Sequence, residues 1–357
     1  MSSQPLELNL DIRPRARFEL IDITSMVQSQ VGDVFSQFRK SVFCSLHTTA
    51  GYLEQGMCAR LGHSAHQLDP FIRAVQRIFP PDAGYSHDRL ELRDELTEQQ
   101  KAVEPTNADS HLTFMGAGLR NCVTYINHPH EPVHFIELDG VYRDQRRRRR
   151  TTVMVYDDED IVYRKRIQVP VASRHMIDAV NLKTTQNGLF EQIEEGLLLY
   201  GVECGRVDIR LAPEERHAGL TVNEYETLLM RNDLPEVLRD PLRYMMRRGK
   251  HLIQNPGTIA GKTLGYATFD LIHLYNELLD TMPIGRSVID WVISALSSPA
   301  SRVLRLKRDI SLLVSNAGKG GTGHIVQGTY QSPILVQHQP ASGGTRSLDI
   351  VIRRFGR

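Results

Sequence analysis

Two stretches decide how this chain folds: KSVFCSLHTTAG, residues 40–51, and CGRVDIRLAPEERHAGLTVNE, residues 204–224. Each opens as a short apolar run and passes through a polar turn into an Ala-Gly step. Short runs rich in Val, Ile and Phe bounded by turn residues read as strands. Before the first stretch, residues 17–23 (RFELIDI) read as a strand, and Thr24 caps a helix through Met26, Val27, Val31 and Val34. After it, Leu68, Phe71, Ile72, Val75, Ile78 and Phe79 fall at helical spacing until Pro80-Pro81 stops them. Residues 133–138 and 151–156 read as further strands. Around the second stretch the order recurs. IQVPV (167–171) opens a strand, a helical stretch starts at Arg174, and DISLLV (309–314), GTYQSPILVQ (328–337) and SLDIVIRRF (347–355) supply late strands. The fold class expected is α+β, with two tandem repeats over 1–160 and 161–357. The second repeat carries extra helical material at 228–230, 242–246, 271–279 and 288–296.

Composition narrows the function classes. The chain has 357 residues, 41% hydrophobic and 24% charged, enough for two ordinary domains. Its 43 Lys and Arg oppose 42 Asp and Glu, so net charge points to neither nucleic acid nor membrane. No apolar run reaches the roughly 18–20 residues of a bilayer span. The N-terminal MSSQPLELNLDIRPR lacks the apolar centre of a signal peptide. Cys44, Cys58, Cys122 and Cys204 are scattered without a CxxC pair, as expected of thiols in a reducing compartment. A cytoplasmic localisation follows as an expectation.

Eight of the 14 histidines lie between His47 and His134. The densest constellation is His47-Thr48-Thr49-Ala50-Gly51, then Tyr85-Ser86-His87-Asp88, Asn107-Ala108-Asp109-Ser110-His111 and Glu137-Leu138-Asp139-Gly140. Three histidines beside small polar residues and carboxylates suit a divalent ion of the Zn or Mn type. Protonated imidazoles with Thr hydroxyls suit a phosphate equally well, and three separate histidines remain the plain alternative. Arg143 and the run Arg146 to Arg150 are the one local excess of charge. On a strand Arg146, Arg148 and Arg150 share one face, Arg147 and Arg149 the other. One such face can grip a phosphate, line a solvated hairpin, or bind nucleic acid without sequence preference. Two glycine motifs carry less. Residues 318–323 (GKGGTG) precede a strand rather than a helix, and 257–263 (GTIAGKT) is one residue short of a phosphate loop. No nucleotide cofactor is expected.

HTTAG, YxHD, NADxH followed by Leu112 to Gly118, and ExDGxxR together resemble the YjbQ family, described as secondary thiamine-phosphate synthases. The resemblance covers residues 15–156 and is divergent in the second half. It implies small α+β sandwiches that assemble as trimers, so a homo-oligomer is expected. It also implies a transferase joining a pyrimidine methyl diphosphate to a thiazole phosphate, or another metal-dependent reaction on a phosphorylated small molecule. His47, His87 and His111 would be catalytic residues and ligands of a divalent metal ion (Zn, Mn or Mg), with Asp109 and Glu137 as catalytic carboxylates. Thr48, Thr49, Asn107, Arg143, Arg148, Asn223 and Glu224 would bind the phosphorylated substrate. The motifs are split between the halves. Gln55-Gly56 replaces the family's Asn-Glu, which Asn223-Glu224 supplies later, and Gly328 to Gln331 resembles its Gly-Thr-Trp-Gln. Glu215 lies at the first histidine's place, His217 is displaced by two, and Gln337 replaces the acidic residue. The alternatives are a catalytically inactive binding or assembly protein and an RNA-associated protein using the arginine hairpin; nucleic acid and membrane are not expected partners.

Overall fold

The computed structural model describes residues 4–172, 177–184, 188–239, 304–316, 321–341 and 343–356. In the first half the elements are β1 (Leu6–Ile12), β2 (Glu19–Asp22), α1 (Ile23–Val31), β3 (Lys40–Ser45) and β4 (Ala50–Gly51). Next come α2 (Gln55–Arg60), α3 (Ala65–Ile78), α4 (Glu98–Val103), α5 (Ala108–Ala117), β5 (Cys122–Ile126) and β6 (His134–Glu137). A small hairpin, β7 (Val141–Tyr142) and β8 (Gln145–Arg146), leads into β9 (Arg149–Tyr156). The second half holds β10 (Asp158–Pro170), β11 (Asp178–Asn181), α6 (Leu189–Leu199), β12 (Gly205–Leu211), β13 (Ala218–Glu224) and α7 (Leu234–Arg239). It closes with β14 (Asp309–Ser315), β15 (His324–Ile325), β16 (Gln331–Gln337) and β17 (Thr345–Gly356). Helices and antiparallel sheets are mixed, an α+β fold.

Apart from the added edge strand β15, strand order is the same in both halves. The first forms sheets β1-β9-β3-β5 and β2-β6-β4; the second forms β10-β17-β12-β14-β15 and β11-β16-β13. In each half the two sheets enclose an apolar layer. Phe43 on β3 meets Tyr52 and Tyr125 edge-on or tilted, each at 5.6 Å between ring centres. Val207 and Ile209 of β12 pack with Leu220, Val222 and Leu335. The opposite face of β3 is also apolar: Val42 and Cys44 join Cys122, Met154 and Tyr156 against Leu313 and Phe355 of the second half. Tyr156 and Phe355 stack at 3.8 Å. A strand buried on both faces loses polar alternation, which is why KSVFCSL reads as a continuous run.

The chain divides into two compact units. The sheet unit comprises residues within 1–57, 118–225 and 306–357, and the helical unit those within 58–117 and 226–305. The 160/161 division falls inside β10. Residues 157–166, too charged to suggest a strand interior, form its outer part because β10 is an edge strand paired only with β17, where charged side chains reach water. The helix expected to start at Thr24 is capped instead by Asp22, whose carboxylate accepts the Ser25 N–H at 3.0 Å. The expected helical stretches at 242–246, 271–279 and 288–296 and the 257–263 motif lie outside the described residues, as do 318–320 of GKGGTG and the start of the helical stretch expected from Arg174. Where that stretch would continue, the chain forms β11 instead, and α6 begins only at Leu189. Among the described residues no helix is long and apolar enough to cross a membrane.

Candidate functional site

The sheet unit gathers the His47 turn, the β6 end and the β9 start. Glu137 closes β6 with 0% exposure, since β2 and β4 flank it through Glu19 and Ala50. A buried carboxylate needs a partner, and Arg149 supplies it through two bonds, Nε to Oε2 at 2.6 Å and Nη2 to Oε1 at 2.9 Å. The Asp139 N–H adds a third, at 2.7 Å. Burial pushes the Glu137 carboxyl up, and the Arg149 charge opposes it. Arg149, 5% exposed, also donates Nη2 to the Asp139 carbonyl at 2.8 Å and to Thr49 Oγ1 at 3.2 Å. Its Nη1 lies 3.4 Å from His47 Nδ1.

His47 is held in one tautomer. The Arg150 backbone N–H donates to Nε2 at 2.8 Å, so the ring proton sits on Nδ1. Burial first, then the guanidiniums of Arg149, Arg150 and Arg147, push His47 down to about 3. The ring is neutral at pH 7 in a positive field. Below it, Asn121 and Gln331 both donate side-chain amides to the His47 carbonyl, and Gln331 also bonds the Ser45 carbonyl at 2.9 Å. Gly328 sits so close that a Cβ there would lie 1.9 Å from the Leu46 oxygen. The Gly328–Gln331 segment of the second half therefore buttresses the first-half turn. Glu224 pairs with Gln331 across the β13–β16 ladder, and Asn223 is buried beside it.

The helical unit holds a second cluster. His87 donates or accepts at both ring nitrogens: Nδ1 lies 2.8 Å from Glu226 Oε2 and Nε2 3.3 Å from Asn107 Oδ1. The His111 ring meets it edge-on at 5.3 Å. Burial alone would raise the Glu226 carboxyl, but the His87 hydrogen bond and the Leu228 and Leu229 N–H groups outweigh it and bring it to about 2. Asp233 accepts the Ser86 and His87 N–H at 2.8 and 2.9 Å, fixing the backbone under the ring. Asp88 caps α5 through the Ala108 N–H, and Asp109 is buried in its first turn.

The residues expected to bind a metal do not fit one as placed. Both His47 nitrogens face donors, and a cation there would meet three arginines. Both His87 nitrogens are engaged, and among the described residues no three His, Cys, Asp or Glu side chains group as a ligand set. The arginines alternate as expected, but the inward face belongs to Arg147 and Arg149. Arg147 pairs with Asp139 at 2.8 Å. Arg148 points outward, 67% exposed, and pairs with Asp11, while Arg143 lies over the Tyr142 ring at 5.0 Å. Sequence reasoning missed Arg149 and Glu226. The signal for Arg149 was present: a buried ExDG glutamate needs a cation, and alternation offers only Arg147 or Arg149. Glu226 carried none, lying two residues past the Asn-Glu pair that drew attention.

No protein-family model matches the chain, and no curated protein matches it. Among solved structures it is similar to a YbjQ-like protein of unknown function from Sulfolobus solfataricus P2, 17% identical, over 55% of this chain and 99% of that one, with a TM-score of 0.28. A hypothetical protein from Aeropyrum pernix K1 is 14% identical over 54% of this chain and 98% of that one, TM-score 0.28. An uncharacterized conserved protein of the yjbq family from Clostridium acetobutylicum is 11% identical over 53% and 98%, TM-score 0.26. At that level of likeness the function has to come from the chain's own residues.

Proposed function

We propose that this chain is a YjbQ-like protein, built from two tandem copies of one α+β sandwich, that acts on a phosphorylated small molecule. The observation that carries the reading is the positive field at the His47 turn. Arg149 is locked by Glu137 with its Nη1 turned to the His47 ring, and Arg147 and Arg150 flank it. A guanidinium fixed before its ligand arrives binds a phosphate oxygen with little reorganisation. The matching strand orders support the tandem copies.

In the helical unit, Glu226 and Asn107 hold the two ring nitrogens of His87, so the imidazole is a fixed polar group of that unit and no step is routed through it. The motif resemblance supplies the finer reading: the pyrimidine methylene leaves its diphosphate oxygen and bonds the thiazole nitrogen, releasing pyrophosphate. Arginine charge at the His47 turn would offset the charge building on the leaving diphosphate. No step is routed through a metal, because the donor sets described above do not suit one.

The test supplies the full-length chain with pyrimidine methyl diphosphate and thiazole phosphate and follows pyrophosphate release. Release is expected, with Arg149→Lys, which keeps the charge and loses the fork, lowering kcat by about 10²–10³ while Tm is followed in parallel. Phosphate binding without turnover rejects the transferase and keeps the phosphorylated ligand; absence of both overturns the proposal. Light scattering tests the proposed homo-oligomer, with a trimer expected.

A further inference from the structure

The second half repeats the backbone frame of the His47 turn. Ala50 pairs with Glu137, and Ala218 pairs with Gln337. The Leu138 N–H donates to the Thr49 carbonyl at 3.1 Å, as the His338 N–H does to the His217 carbonyl at 3.0 Å. Tyr52 bridges to Arg120, and Leu220 to Lys307. Asn121 donates its side chain to the His47 carbonyl, and Arg308 donates its own to the Glu215 carbonyl. On this frame Glu215 stands at the place of His47, Gln337 at Glu137, Arg346 at Arg149 and Ser347 at Arg150.

In the first half the Arg150 N–H and Arg149 Nη1 face an imidazole. In the second, the same two donors hold a carboxylate. The Ser347 N–H donates to Glu215 Oε1 at 2.8 Å, and Arg346 Nη1 donates to Oε2 at 2.7 Å. An amide and a guanidinium edge converging on two oxygens is how an oxyanion is bound. Arg346 is 5% exposed, and its Nη2 donates to the Gln339 carbonyl at 2.6 Å. Its Nε–H, which in Arg149 meets Glu137, has no acceptor among the described residues. Gln337 gives its amide to the Ala172 carbonyl instead. A carboxylate seated on paired donors, and a buried guanidinium with a donor to spare, mark the same place.

We propose that Glu215 is a resident pseudo-ligand: its carboxylate fills the anion position of a second copy of the site. The chain then takes one phosphate, at its first half, where its two halves would otherwise take two. The inference rests on the anion reading of the His47 turn. It adds that the latent second site accepts the same class of ligand, a phosphate or carboxylate oxyanion, once Glu215 is out of the way.

Isothermal titration of the full-length chain with inorganic phosphate at low ionic strength tests it. Wild type is expected to bind one phosphate. Glu215→Ala should bind two, and Arg346→Met in that background should return the count to one. Glu215→Gln keeps the side-chain shape, removes the charge, and should also gain a second, weaker site. Because Glu215→Ala strips a buried guanidinium of its carboxylate, Tm is followed in parallel. A loss seen in chloride and reversed by phosphate at matched ionic strength is the same result read as ligand stabilisation. If both folded variants still bind one phosphate and show no phosphate-specific rescue, the pseudo-ligand is overturned and the first-half reading stands. If wild type binds none while Glu215→Ala binds one, the first-half reading fails and this inference survives.

Discussion

Arg149 and Arg346 occupy one position in two halves of the sheet unit, and their carboxylates reach them from different directions. Glu137 comes from the strand beneath Arg149; Glu215 comes from the turn beside Arg346. The strand position is neutral in the second half (Gln337), and the turn position is neutral in the first (His47). One negative charge per buried guanidinium is kept, but it moves. The difference teaches that charge neutralisation of the arginine is what the fold demands, since an unpaired buried ion is costly. Which residue supplies the carboxylate is free, and that choice decides whether the turn is left open to a ligand. With Glu137 below, Arg149 keeps Nη1 for the turn; with Glu215 above, Arg346 spends Nη1 on its own chain.

The comparison breaks most directly at the arginines. Arg149→Met leaves Glu137 fully buried without a cation, so it should cost about 3–5 kcal/mol of stability. Arg346→Met leaves Glu215 still holding the Ser347 N–H and should cost less, about 1–3 kcal/mol. Urea unfolding of both variants beside wild type reads the difference; equal losses would show that the two carboxylates are not held differently. The next largest effect is a swap. Glu137→Gln alone should cost about 2–4 kcal/mol, because Arg149 loses its acceptor. Adding His47→Glu recreates the second-half arrangement and should recover at least half of that loss as a coupling between neighbours. A double variant no more stable than the single one would mean that the two turns are not interchangeable.

Much of this was legible in the sequence, for physical reasons that can be named. KSVFCSL and GRVDIRL announce central strands because both faces of β3 and one of β12 are apolar. ExDG marked Glu137 as a functional carboxylate, though not as a buried one, and Glu215 and Gln337 were visible as replacements at the right places. Three things were not legible. β1 pairs a weakly alternating LELNLDI with β9, and nothing local in that segment announces a partner 140 residues on. The Asp22 cap was overlooked because Thr24, also a good cap, sits two residues later. The pairing of His87 with Glu226 joins residues 139 apart in sequence, and a lone glutamate in YETLL carries no pattern.

Acid stability separates the halves next. His47 is pushed down to about 3 and His338, chiefly by burial and then by His217 and Arg346, to about 4. Both folded values lie below the ordinary 6.5, so the unfolded chain binds protons that the folded chain refuses. The stability held by each neutral ring is fully present above pH 6.5. It is lost as pH falls toward 3 for His47 and toward 4 for His338. Glu226, depressed to about 2, holds its stability in full above its ordinary 4.5 and loses it only as pH falls from there toward 2, so the slope between pH 6.5 and 4.5 belongs to the histidines. Urea midpoints measured across that window should fall with pH in wild type. His47→Gln should flatten the slope, and His338→Gln should flatten it too. A slope unchanged by both substitutions would mean that neither ring stays neutral.

The smallest expected effect tests the alternation of the arginine run. Arg148 and Arg149 are neighbours at the start of β9, yet one side chain points outward and the other into the protein. Arg148 pairs with Asp11 on the far side of the β1–β9 ladder, where both side chains are more than half exposed. Water screens such a pair, so it adds little to stability. Its charge also faces away from the His47 ring, whose depression comes from Arg147, Arg149 and Arg150. Arg148→Ala should therefore leave the urea midpoint indistinguishable from that of wild type. It should leave phosphate binding at the first half within twofold of wild type. A tenfold loss of phosphate affinity in Arg148→Ala would place the ligand on the outer face of β9, and the buried Arg149 would then be a strut for Glu137 alone.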